Sequence, residues 1–176
     1  MKIKNVITWI LLPLAYIITR LVNFKILPIF TDEAIYSFWS QVVLHDPANR
    51  FISLEDGKQP LFIWIAAIFQ KFVSDPLVAT RLVSVLAGLG SLIGIYIVSD
   101  LLFKNKKIAL ISSVLYIILP FTLLYDRLAI FDSLLTMIGI YAVFLSIKMA
   151  KDPKLDLALL NGFAIGLGLI TKTSAL

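Results

Sequence analysis

The chain has 176 residues, 60% of them hydrophobic and 15% charged, with a formal net charge of +5 and no cysteine. Its mean hydropathy of +0.95 is far above that of a soluble domain and apolar runs of membrane length recur, so the chain reads as an integral membrane protein. Disulfides, thiolate metal sites and a cysteine nucleophile are excluded, and the lysines sit in short patches between apolar runs, which is how topology signals look and not how a nucleic-acid surface looks.

The pattern predicts an all-α, polytopic transmembrane helix bundle of about five spans, with two interfacial helices in the first outer loop. The first span, 6–22, follows Lys2 and Lys4. No small-x-small cleavage site comes after it, so it reads as an uncleaved span rather than a signal peptide.

A long loop, 23–76, comes next, and loops of this length carry function or structure of their own. It opens "FTDEAIYSFWSQVVLHDP". Thr31 suits a helix cap, and Asp32 and Glu33 then fall in the first turn, where the helix dipole favours negative charge. Ile35, Phe38, Trp39, Val42 and Val43 recur at helical spacing and make one apolar stripe. The segment reads as an amphipathic helix resting on the bilayer. Its two leading carboxylates either satisfy the helix start or face a site, and the local pattern leaves both open. His45, the only histidine, reads as a surface residue, with a ligand or a base as the alternative. "EDGKQP", which carries Lys58, is either a plain turn or a part of the same site. "PLFIWIAAIFQKF" gives roughly 20 Å of helix, too little for a hydrocarbon core of about 30 Å. It reads as a second interfacial helix, begun by Pro60, ended by Ser74, Asp75 and Pro76, with Trp64 at headgroup level.

Further spans follow at 77–103, 108–124, 128–149 and 155–176, the last still running where the sequence stops. Asp126 and Arg127 lie in the turn between the third and fourth. Asp132 falls about one turn into the fourth, where a carboxylate facing lipid costs a few kcal/mol, so it should face protein or a water-filled cavity. Arg81 lies one turn into the second span. Lys172 is placed about 24 Å along the fifth, near the same interface. Each cation either snorkels or serves a site. Under one topology Asp32, Glu33, Lys58, Arg81, Arg127, Asp132 and Lys172 all reach one membrane face. "KNKK" (Lys104, Lys106, Lys107) and the 148–154 stretch lie on the other, with the N-terminus. Those tight lysine clusters place that second side in the cytoplasm. The face with eight of the eleven carboxylates is then extracytoplasmic. Cations there can hold a phosphate-bearing lipid, and a carboxylate can take a proton from an acceptor.

Here the sequence resembles the membrane glycosyltransferases of GT-C fold, and most of all the family-39 group, which includes the protein O-mannosyltransferases and the lipid A aminoarabinose transferases. "TDEAIY" resembles the group's Asp-Glu motif, and "GKQPLFIW" its Gly-Lys-Pro-Pro-Leu segment. "ATRLVSVLAG" resembles its Leu-Arg-Leu-Pro-Ser helix, "YDRLAIFDSLLT" its Ser-Arg, then Asp, segment, and "GLGLITKTSAL" the Thr-Lys stretch that follows. Three positions depart from the pattern: Gln59 and Val83 stand where Pro is common, and Asp126 where Ser is.

The resemblance implies a cell-membrane enzyme that moves a sugar, with inversion, from a polyprenyl-phosphate carrier to a lipid, glycan or protein acceptor at the outer face. It implies catalytic roles for Asp32, Glu33 and Asp132, and contacts to the donor phosphate from Lys58 and Arg81, with Arg127 and Lys172 beside them. Some relatives are associated with a divalent metal, for which Asp32, Glu33, Asp126 and Asp132 offer oxygen ligands, though no spacing requires one. It further implies that 1–176 is the N-terminal part of a longer enzyme. A transporter or lipid flippase is the alternative; it predicts charges near the bilayer midplane on broken helices. A structural subunit predicts no clustering of these side chains.

Overall fold

Every regular element in the computed structural model, which describes the backbone of residues 3–175 and the side chains of 9–174, is helical. The order is α1 (Ile3–Leu21), α2 (Thr31–His45), α3 (Leu61–Gln70), α4 (Pro76–Phe103), α5 (Lys106–Ile118), α6 (Pro120–Tyr125), α7 (Phe131–Lys151) and α8 (Leu155–Leu169). Short 3-10 turns occupy Pro47–Asn49, Ile52–Asp56 and Thr173–Ala175. Among the described residues, α4 and α7 are long and apolar enough to cross a membrane, and α3 and α8 are shorter apolar helices.

The central helix is α4, against which α1, α2, α3, α5 and α7 all pack. Its start is well specified. Pro76 needs no N–H at the first helical position, and the Asp75 carboxylate accepts from Leu77 N at 3.1 Å and Val78 N at 3.2 Å. Gly90 and Gly94 let α7 come close: a Cβ at Gly94 would lie 2.7 Å from Ile140 Cγ2. This is small-x-x-x-small packing between apolar helices.

Gly88, on another face of α4, meets the Tyr16 hydroxyl and the Asp126 carboxylate, and a Cβ there would sit 2.5 Å from Asp126 Cγ. Both neighbours are hydrogen-bonded and buried. Gly88→Ala is therefore expected to destabilise the protein by about 1–3 kcal/mol, read as a lower midpoint of thermal unfolding in detergent. Gly139→Ala, with nothing within 4 Å, is the control and should melt near the parent.

One core lies where α2, α3, α4 and the start of α7 meet. The Phe131 ring packs edge-on to Tyr36 at 4.5 Å between centroids and lies 5.1 Å from Phe62. All three are buried. This aromatic trio locks the head of α2 to the head of α3 and the first turn of α7, and so fixes what stands above it.

Several boundaries differ from the sequence expectation. The apolar run 108–124 is not one helix: Leu119 adopts ψ 126° and separates α5 from α6. Pro120 causes this, since its ring disfavours helical backbone at the preceding residue. The fourth span begins at Phe131, not near 128, because Ile130 is extended (ψ 158°). Asp132 thus belongs to the first turn of α7. α8 ends at Leu169, so Lys172 lies beyond the helix rather than along it. The residue ahead of α2 is Phe30, not Thr31; Glu33 reaches back to accept from Phe30 N at 3.1 Å.

Candidate active site

A cavity of about 190 Å³ opens above the aromatic trio. It is smaller than a drug-sized pocket and polar. Four segments far apart in sequence build it. The first turn of α2 supplies Asp32 and, one turn on, Tyr36. The turn before α3 supplies Gly57, Lys58 and Gln59. The first turn of α7 supplies Asp132, and the segment after α8 supplies Thr171, Lys172 and Thr173. Leu61 N donates to Ile170 O at 3.1 Å, which ties the lysine turn to the end of α8.

Inside the cavity, Lys172 Nζ bonds Asp132 Oδ1 at 2.9 Å, with both side chains partly exposed. Asp32, half-buried, enters no ion pair among the described residues, and Lys58 is exposed and equally unpaired. Tyr36 is buried below them. Burial, then the negative charges of Asp32 and Asp132, push its phenol pKa upward, so it stays protonated beside Asp32.

The other sequence candidates sit elsewhere. Glu33 is fully buried behind Asp32. Its Oε1 accepts from Arg81 Nε at 2.8 Å and from Ala129 N at 2.7 Å, and its Oε2 from Arg81 Nη2 at 2.8 Å. Burial pushes the Glu33 carboxyl up, but the Arg81 guanidinium and the Ala129 and Phe30 amides outweigh it and hold the group below the ordinary glutamate range. Arg81 also donates to the carbonyls of Phe24 at 3.1 Å and Leu27 at 3.2 Å. Glu33 and Arg81 together therefore join the α1–α2 connection, the head of α2, α4 and the turn before α7. Arg127 donates to Val22 O at 2.8 Å and Asn23 O at 2.7 Å, closing off the end of α1. None of these three lines the cavity.

Asp126 lies in a separate buried cluster. Tyr16 and Tyr116 donate to its Oδ2 at 3.0 and 3.1 Å, Ser133 donates to Oδ1 at 2.9 Å, and Arg20 Nη2 lies 3.6 Å away. Those partners suit a carboxylate meeting a guanidinium and hydroxyl protons, and do not fit a divalent cation. Among the described residues no three His, Asp or Glu side chains gather as for a metal.

Sequence reasoning missed Tyr36 and Arg20. Tyr36 follows Asp32 by four residues on a helix, which puts both on one face. Arg20 is a charge inside the first apolar run, a signal in itself.

Neither the curated proteins nor the solved structures contain a match to this chain. A family model does match, over residues 57–176, and is described as dolichyl-phosphate-mannose-protein mannosyltransferase. Lys58, Arg81, Asp126, Arg127, Asp132 and Lys172 fall within the matched stretch, while Asp32 and Glu33 precede it. Most of the chain, including three of the four cavity-forming segments, is thus accounted for by one glycosyltransferase family, and the chain belongs to the dolichyl-phosphate-mannose-protein mannosyltransferase family.

Proposed function

We propose that the protein transfers a sugar from a polyprenyl-phosphate donor to an acceptor hydroxyl at the outer face of the cytoplasmic membrane, inverting the anomeric carbon, and that the Asp32–Asp132 cavity holds the reacting groups. The observation that carries this reading is the convergence of two carboxylates and two lysines on one small polar cavity, in a chain of this family. Such a cavity suits the head of a sugar phosphate and excludes its lipid tail.

The chemistry needs a base on one side of the sugar and positive charge on the other. Asp32, which joins no ion pair among the described residues, takes the proton from the acceptor hydroxyl as the hydroxyl oxygen attacks the anomeric carbon. The bond from that carbon to the phosphate oxygen breaks on the opposite face, and the phosphate leaves with the electron pair. Lys58 meets the negative charge that grows there. Asp132, paired with Lys172, orients the sugar hydroxyls. Tyr36 donates toward Asp32 and fixes its direction. Glu33 and Arg81 act through the fold, by holding the heads of α2 and α7 at a set separation.

The test is transfer of label from a polyprenyl-phosphate sugar in membranes that carry the protein. Lys58→Gln is expected to lower kcat/KM by about 10²-fold, in line with loss of one donor to a developing anion, at unchanged protein level. Transfer at the parental rate by Lys58→Gln would remove the lysine turn from the site.

A further inference from the structure

A second and larger cavity, of about 440 Å³, opens between the tail of α2 and α3. It shares no residue with the Asp32 cavity. Val43, which helps line it, lies about 16 Å further along α2 than Asp32, at about 1.5 Å per residue. Val43, Leu44, Ala67 and Ile68 give it an apolar lining. Phe51 and Trp64 make one wall. The Trp64 indole N–H donates to Arg50 O at 2.7 Å, and the Phe51 ring stands edge-on to it at 5.3 Å between centroids. The wall is therefore fastened to α3 rather than loose.

The charge is one-sided. Arg50 and Lys71 both line the cavity, and no carboxylate among the described residues does. Neither is in an ion pair among the described residues. Two of the lining side chains, Phe51 and Ile68, are more than half exposed, and Phe72, next in sequence to Lys71, is 83% exposed. An apolar trough edged by two unpaired cations matches an anionic amphiphile: cations for the head, trough for the start of a chain.

We propose that this groove binds an anionic glycerophospholipid of the surrounding bilayer, its phosphate between Arg50 and Lys71 and the upper part of an acyl chain along Leu44, Ala67 and Ile68. The site is separate from the sugar-transfer cavity and rests only on the membrane setting of the chain. Its effect is to seat α2 and α3, and so the wall of the first cavity, against the lipid surface.

Trp64, one of three tryptophans, reports on occupancy. The protein is placed in phosphatidylcholine nanodiscs containing a small fraction of either phosphatidylglycerol or phosphatidylcholine with brominated acyl chains, and Trp fluorescence is recorded. Trp64→Phe assigns the Trp64 share. The expected result is that brominated phosphatidylglycerol quenches that share at a concentration on the order of tenfold lower than brominated phosphatidylcholine does. The preference should vanish in Arg50→Gln/Lys71→Gln, whose exposed side chains can be replaced without opening the core. Lys58→Gln should keep the preference, so failure of the sugar-transfer reading is told apart from failure of this one. Equal quenching by the two lipids overturns the proposal, as does a preference that survives the double substitution. Relief of the phosphatidylglycerol quenching by equimolar polyprenyl phosphate also overturns it, since the groove would then belong to the donor.

Discussion

Asp32→Asn is expected to lower sugar transfer by about 10²–10⁴-fold, the usual worth of a positioned general base, while leaving abundance and thermal midpoint near the parent. The substitution keeps the size of the side chain but removes the carboxylate charge that the proposed mechanism needs to take the acceptor's proton. Little stability is at stake, because Asp32 is half-buried and joins no ion pair among the described residues. Asp132→Asn should behave differently. It breaks the 2.9 Å pair with Lys172, so KM for the donor should rise together with the fall in kcat. The measurement is label transfer at several donor concentrations, with immunoblotting for protein level. Unimpaired turnover by Asp32→Asn would take this residue out of the chemistry and leave Asp132 as the remaining carboxylate among the described residues that line the cavity.

Glu33→Gln and Arg81→Met are each expected to cost roughly 3–5 kcal/mol, because each strands its partner as an unpaired buried charge. Glu33 is 0% and Arg81 1% exposed, and the two share a pair of 2.8 Å bonds. Removing both charges with Glu33→Leu/Arg81→Leu should recover part of the loss, since an apolar pair leaves no unpaired charge. Recovery will be incomplete, because Ala129 N, Phe24 O and Leu27 O lose their partners. The pH dependence has a definite sign. The folded Glu33 carboxyl is held below its ordinary value of 4.5. Its contribution is therefore complete above that value and is lost as acid carries the protein down through the lowered one. Thermal unfolding between pH 7 and pH 3 should show this acid weakening in the parent and a flatter profile in Glu33→Gln. Equal acid sensitivity in the two proteins would mean that another carboxylate governs the transition.

Charges inside apolar runs were the most legible feature of the sequence. Asp132 and Lys172 stand out because lipid penalises them, and they form one ion pair across forty positions. Asp32 and Lys58 entered the candidate set through the shared membrane face and the resemblance rather than through any local pattern, since an acidic first turn and a Gly-Lys turn are each ordinary on their own. What the residue pattern leaves open is how charges divide between a cavity and a brace. Arg81 reads like Lys58 at sequence level, yet its guanidinium is spent on Glu33 and two carbonyls. That difference depends on pairing across 48 positions, which no local period encodes. The break before Pro120 was a local signal and readable as such. The end of α8 at Leu169 carried no comparable mark, because glycines in an apolar run punctuate weakly.

The buried meeting of Arg20 with Asp126 has a consequence for how the protein is made. Arg20 leaves the ribosome about a hundred residues ahead of the carboxylate that neutralises it, a delay of roughly 5–20 s at about 5–20 residues per second. Through that interval the first hydrophobic segment holds a guanidinium with no counter-charge, and it must wait at the water boundary or beside the translocation machinery. Full settling of that segment is thus coupled to delivery of the sixth helix. A stall in synthesis before Asp126 should leave it shallow and open to proteases.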